Sequence, residues 1–90
     1  MTSLSVIVPC YNEERYLPRL LDQLCRQTVA PRQVIVADSN STDGTIACAM
    51  AYHDRLPIQV AQTTKRTPGA TRNAGAALAT SEYLLFIDAD

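Results

Sequence analysis

Tyr83-Leu84-Leu85-Phe86-Ile87-Asp88-Ala89-Asp90 sets four apolar residues, Leu84 to Ile87, against two carboxylates separated by one alanine. An apolar run of that length predicts a strand buried on both faces, the kind found inside a parallel sheet. In an extended chain, residues i and i+2 point to the same side, roughly 6.5–7 Å apart at Cα. Asp88 and Asp90 are therefore expected to converge just beyond the strand end. Carboxylates that close repel one another unless they share a proton or bind a cation. Hard divalent cations suit such a pair and complete their coordination with substrate phosphates.

Three more strands are expected upstream, with helices between them. Gly69 to Thr80 is alanine-rich, with Ala70, Ala74, Ala77 and Leu78 on one side, and predicts a helix. Pro57 to Ala61 predicts a short strand, and Thr63 to Pro68 a loop carrying Lys65 and Arg66. Thr45 to His53 is a weakly amphipathic helix through Ile46, Ala49 and Met50, with Asp43 and Thr45 as its caps. Gln33 to Ala37 is a second apolar strand, with Asp38 at its end. Leu17, Leu20, Leu21, Leu24, Cys25 and Thr28 recur at helical spacing, which predicts a helix from near Leu17 to Gln27 with Pro18 in its first turn. Asn12 is a candidate cap for it, with Glu13 and Glu14 at its start. Leu4 to Val8, ended by Pro9, is the first strand. The order β-α-β-α-β-α-β with short connections predicts an α/β fold: a parallel, Rossmann-like sheet of about four strands with helices on both faces.

Composition narrows the function classes. Ninety residues make at most one small domain. Eight Lys and Arg against nine Asp and Glu give a net charge of −1, which argues against a nucleic-acid partner, since that needs a basic excess. No window approaches the roughly 18 uninterrupted apolar residues of a membrane span. Met1-Thr2-Ser3 lacks the basic start of a signal peptide. Cys10, Cys25 and Cys48 are odd in number and widely spaced, so reduced, mostly buried thiols and a cytoplasmic location are expected.

In sheets of this kind ligands bind beyond the carboxyl ends of the strands. Pro9-Cys10-Tyr11-Asn12-Glu13 follows strand one, Asp38 ends strand two, and Asp88 and Asp90 end strand four, so three strand ends feed polar groups to one rim. Arg72 and Asn73, in the first turn of the third helix, suit phosphate. Asp38 could also simply cap the turn that follows it. Lys65 and Arg66 read as an exposed loop pair, and His53 as a surface or capping residue. Neither G-x-G-x-x-G nor G-x-x-x-x-G-K-S/T occurs, and a single histidine away from the rim leaves a Ser-His-Asp triad without support.

Ser5-Val6-Ile7-Val8-Pro9-Cys10-Tyr11-Asn12-Glu13-Glu14 resembles the opening of the family 2 glycosyltransferases, inverting enzymes with the GT-A fold. Val36-Ala37-Asp38-Ser39-Asn40-Ser41-Thr42-Asp43-Gly44-Thr45 resembles that family's second, aspartate-rich motif. Gly69-Ala70-Thr71-Arg72-Asn73-Ala74-Gly75, with Ser81 to Asp90 after it, resembles its third block and D-x-D motif. The likeness spans the whole chain, with the motifs in the family's order. Ser39 stands where the family often has a second aspartate, and Asn40 where it often has glycine.

The resemblance implies roles residue by residue. Pro9, Tyr11 and Glu13 would line the nucleoside pocket, and Asp38 would accept a hydrogen bond from the base. Asp88 would lie near the ribose and metal. Asp90 would hold Mg²⁺ or Mn²⁺ against the donor diphosphate, and Arg72 would sit near the same diphosphate or the ribose. It further implies that residues 1–90 are the donor-binding half of a metal-dependent glycosyltransferase. Sugar would pass with inversion from a nucleotide sugar, preferably a UDP-sugar with GDP-sugars open, to the hydroxyl of a glycan, lipid or small-molecule acceptor. The base expected to deprotonate that hydroxyl would lie beyond Asp90, so this segment alone is expected to be inactive. The full protein would sit in the cytoplasm or at the inner face of the membrane. The competing readings are a non-catalytic nucleotide-sugar-binding module, a nucleotidyltransferase, which would need a glycine-rich basic loop after strand one, and a receiver domain phosphorylated at Asp38, which would need a later strand-end lysine.

Overall fold

The computed structural model describes residues 3–28 and 30–89. Its elements are β1 (Leu4–Cys10), α1 (Leu17–Cys25), β2 (Gln33–Asp38), α2 (Thr45–Met50), β3 (Ile58–Gln62), α3 (Pro68–Leu78) and β4 (Tyr83–Phe86). The four strands form one parallel sheet in the order β3-β2-β1-β4. The expected α/β architecture is therefore present.

Strand alternation sorts the apolar side chains onto two faces. Val6, Val8, Val34 and Val36 pack with Leu17, Leu21 and Leu24 of α1 and with Ala49, Tyr52 and Leu56 in and after α2. Ile7, Ile35, Ala37 and Ala61 form the opposite face, against Ala74 and Ala76 of α3. Here α3 comes close because residue 75 has no side chain. A Cβ there would lie 2.6 Å from Ile7 Cγ2 and 3.2 Å from Ala37 Cβ. At the amino end of the sheet the Gln33 amide ties several elements together. Its Oε1 accepts from Ser5 Oγ (2.6 Å) and Thr80 N (2.8 Å), while Nε2 donates to Gln59 Oε1 (2.6 Å) and the Leu78 carbonyl (2.9 Å).

Several boundaries move, each for a local reason. β1 runs through Pro9 to Cys10 instead of stopping at Val8. Ile7 faces β4, accepting from Ile87 N, and Cys10 faces β2, accepting from Ser39 N. By that alternation the missing Pro9 N–H points toward β4, beyond the last paired β4 residue, Phe86, so no ladder bond is lost. α1 stops at Cys25 rather than Gln27 because Arg26 N and Gln27 N bond three residues back, tightening the last turn. α2 likewise stops at Met50, and the same short bonds at Tyr52 and His53 replace the helix expected to reach His53. α3 begins one residue early, with Pro68 in its first turn and the Thr67 hydroxyl accepting from Ala70 N, and ends at Leu78 because Ala79 is extended.

Three expectations are overturned. Among the described residues β4 is not buried on both faces: β1 is its one neighbour there, and Tyr83, Leu84, Leu85 and Phe86 are 41–57% exposed. Asn12 does not cap α1, and Glu13 and Glu14 lie in the turn before that helix, not in its first turn. The thiols are not mostly buried, since Cys10 is buried, Cys48 half-buried and Cys25 exposed. No helix among the described residues is long and apolar enough to cross a membrane.

Candidate functional site

Beyond the carboxyl ends of β1, β2 and β4, and against the start of α3, lies a cleft of about 210 Å³ lined by Pro9, Cys10, Tyr11, Ser39, Arg66, Pro68, Thr71, Arg72 and Asp88. Of the residues expected at the site, Pro9, Tyr11, Arg72 and Asp88 are thus brought together. Asp38 and Glu13 are not on this wall. Asp90 falls outside the described residues.

Asp38 is fully buried and engaged with the loop that follows β2. Its carboxylate accepts from Ser41 N (2.9 Å) and Ser41 Oγ (2.5 Å), as expected of a residue that holds its own turn. Ser41 Oγ in turn accepts from Asn12 N (2.8 Å), and Asn12 Oδ1 accepts from Thr42 N (2.8 Å). Asn12 and Asn40 both have left-handed backbones, φ 52° and 63°, which asparagine tolerates better than most residues. The Asn12 side chain therefore braces the β2–α2 loop. Glu13 belongs to this brace as well, through its N–H donated to Thr45 Oγ1 (2.8 Å).

Ser39 forms the floor with Thr71 of α3, their buried hydroxyls 2.5 Å apart. The pair joins the end of β2 to the first turn of α3 and fills this part of the cleft with neutral groups. Cys10 is the one thiol on the wall. Burial, then the nearby carboxylates of Glu13 and Asp38, push it up to about 12, so it stays a thiol and has no nucleophilic role at neutral pH. Maleimide is accordingly expected to modify exposed Cys25 rapidly and Cys10 only on unfolding. Mass-mapped labelling that finds Cys10 reacting as fast as Cys25 would contradict this.

The wall also holds residues that the sequence did not assign to the site, among them Arg66, read there as half of an exposed loop pair. Arg66 is exposed, yet its guanidinium lies 4.4 Å from the centroid of the Tyr11 ring. Arg72 is placed similarly, 5.9 Å from the Phe86 ring. Pro68 and Thr71 come from the start of α3. The signal was available: applying the strand-end rule to β3 as well would have included the Thr63–Pro68 loop.

Arg66 and Arg72 line the cleft together with one described carboxylate, Asp88, so its charge suits an anion. No three His, Cys, Asp or Glu side chains among the described residues are grouped to hold a metal. Asp88 is nonetheless a hard oxygen donor, and such donors fit Mg²⁺ or Mn²⁺ when ligand phosphates complete the shell.

A parallel α/β sheet with helices on both faces and a cleft beyond its strand ends belongs to the doubly wound class. Residues 5–90 match the family model described as glycosyl transferase family 2, and the chain belongs to that family. It is 38% identical over its whole length to the poly(ribitol-phosphate) beta-N-acetylglucosaminyltransferase TarS of Staphylococcus aureus, covering 16% of that protein. It is 40% identical over 94% of its length to the validoxylamine A glucosyltransferase of Streptomyces hygroscopicus subsp. limoneus, covering 20% of it. The crystal structure of S. aureus TarS 1-349 in complex with UDP-GlcNAc superposes with a TM-score of 0.90 at 37% identity, over 99% of this chain and 27% of that one. The mannosyltransferase PcManGT from Pyrobaculum calidifontis, in complex with GDP-Man and Mn²⁺, gives 0.86 at 34% identity, over 97% and 27%. The chain thus spans well under a third of each of these relatives.

Proposed function

We propose that this chain is the donor-binding part of a metal-dependent glycosyltransferase that moves a sugar, with inversion, from a nucleoside-diphosphate sugar to an acceptor hydroxyl. The observation that carries the reading is the cleft itself, where Arg66, Arg72 and Asp88 line one wall at the strand ends. Family relatives solved with UDP-GlcNAc and with GDP-Man and Mn²⁺ support it. Tyr11 and Pro9 would border the nucleoside, Arg72 the diphosphate, and Asp88 the cation, a role the family resemblance also gives to Asp90. A divalent cation held there would supply Lewis-acid stabilisation of the departing diphosphate. Arg72 would add fixed positive charge to the same group. Free thiols at Cys10, Cys25 and Cys48 fit a reducing, cytoplasmic setting.

Calorimetric titration of UDP and GDP with and without Mn²⁺ tests the reading. Binding is expected to strengthen about tenfold or more with Mn²⁺, as a shared carboxylate–phosphate site requires. Asp88→Asn should remove most of that gain, and Arg72→Ala should weaken binding in either condition. Failure of this chain to bind either nucleotide overturns the reading.

A further inference from the structure

Arg66 is the one charged cleft residue that no family motif quoted above contains. It stands just before the N-cap of α3, and its guanidinium rests on the Tyr11 ring at 4.4 Å. Cation–π attraction to a ring leaves a guanidinium's five N–H donors, which lie in the plane of the group, available to other partners. Arg72, which lines the same cleft, lies more loosely over the Phe86 ring, at 5.9 Å. Neither arginine has an ion-pair partner among the described residues, and Asp88 is the one described carboxylate on the shared wall. Arg66 also lines a second hollow, with Asn40, Thr42 and Thr64, that meets the first along Tyr11 and Ser39. Its charge therefore stands where two lobes of one groove join, between a polar lobe and the lobe holding Arg72 and Asp88.

We propose that Arg66 binds the diphosphate of the donor, its guanidinium oriented by Tyr11 and working with Arg72 as the two arms of a clamp. The proposal rests on the nucleotide-sugar reading for the identity of the ligand, but not for its chemistry. Two cationic forks lining one cleft match a group with two adjacent phosphates better than a monoanion, because each fork can take a separate phosphate. A lysine at position 66 would keep the charge but lose both the stacking on Tyr11 and the fork.

NMR chemical-shift titrations of this chain with UDP, uridine and pyrophosphate, for wild type, Arg66→Ala and Arg66→Lys, test it. Arg66→Ala is expected to weaken UDP and pyrophosphate about tenfold or more while uridine changes less than about twofold. Arg66→Lys should recover only part of the loss. Arg66 is exposed, so unchanged amide spectra away from the cleft will show that the fold is intact. Equal losses for uridine and UDP, or no loss for UDP, overturn the clamp. Wild type that binds pyrophosphate through Arg66 but not UDP sustains the clamp and sinks the nucleotide reading. Wild type that binds none of the three sinks both.

Discussion

Gly75→Leu is expected to cost this chain at least about 3 kcal/mol, enough to move its urea midpoint down by roughly 1.5–3 M. A Cβ at 75 already meets Ile7 Cγ2 at 2.6 Å, Ala37 Cβ at 3.2 Å and Ile35 Cγ2 at 3.8 Å. Ile7 and Ile35 are fully buried in the central strands, and the Ala37 Cβ is fixed by its own backbone, so none of the three can step aside cheaply. The remaining atoms of a leucine can then be placed only by lifting α3 off the sheet. That lift uncovers the smaller of the two core faces, Ile7, Ile35, Ala37 and Ala61. Total stability for a domain of this size is on the order of 5–10 kcal/mol, so the loss is a large fraction of it. Gly75→Ala separates the two effects in play. Alanine regains about 1 kcal/mol of helix propensity, and the close contact removes about as much or more, so its midpoint should fall slightly or not at all. A leucine variant as stable as wild type would show that α3 does not lie where the structure puts it. The same displacement would carry Thr71 and Arg72 away from Ser39 and Asp88, so any surviving Gly75→Leu protein should also bind nucleotide poorly.

The fold was legible because its two signals are local. Valine- and isoleucine-rich runs mark β1 and β2, and alternation within them loads both faces of the sheet, so apolar composition alone implies helices on each side. β4 shows the limit of that argument. Leu84 to Phe86 carry the same apolar signature as a central strand, but burial depends on what lies beyond the strand, and among the described residues β1 is its only neighbour. Pro9 shows another limit. Whether proline ends a strand depends on which neighbour its missing donor faces, and that is set by strand order, which no local window contains. The candidate site was half legible for a related reason. Tyr11, Arg72 and Asp88 stand at strand ends or a helix start and were found. Arg66 reads as loop solvent until β3 places its loop on the rim and Tyr11 gives its guanidinium a surface. Asn12 reads as a helix cap, since only the folded chain brings Thr42 and Asp43 within its reach.

Asp38→Ala is expected to lower the melting temperature by about 10 °C or more and to weaken nucleotide binding, the second effect following from the first. The carboxylate is fully buried and accepts two bonds from Ser41, each of a kind worth about 1.5–3 kcal/mol when the acceptor is charged. Water can reach part of the freed loop, which brings the net loss to about 2–3 kcal/mol, and a domain this small shifts about 4–8 °C per kcal/mol. The route to binding runs through Ser41, whose hydroxyl donates to Asp38 and accepts from Asn12 N, the residue next to Tyr11. Removing Asp38 therefore releases the β1–α1 loop that carries the Tyr11 ring and, through it, the Arg66 guanidinium. A direct contact between Asp38 and a nucleobase predicts something else. Ser41→Ala would then leave UDP binding intact, or even improve it by freeing the carboxylate. If Asp38 acts through Ser41, Ser41→Ala weakens UDP about as much as Asp38→Ala, and the double variant is little worse than either single one, the non-additivity expected of partners in one chain of hydrogen bonds. Calorimetry and thermal melts on the three variants decide between the two. Additive losses in UDP affinity, with Ser41→Ala near wild type, would assign Asp38 to the ligand instead of the loop.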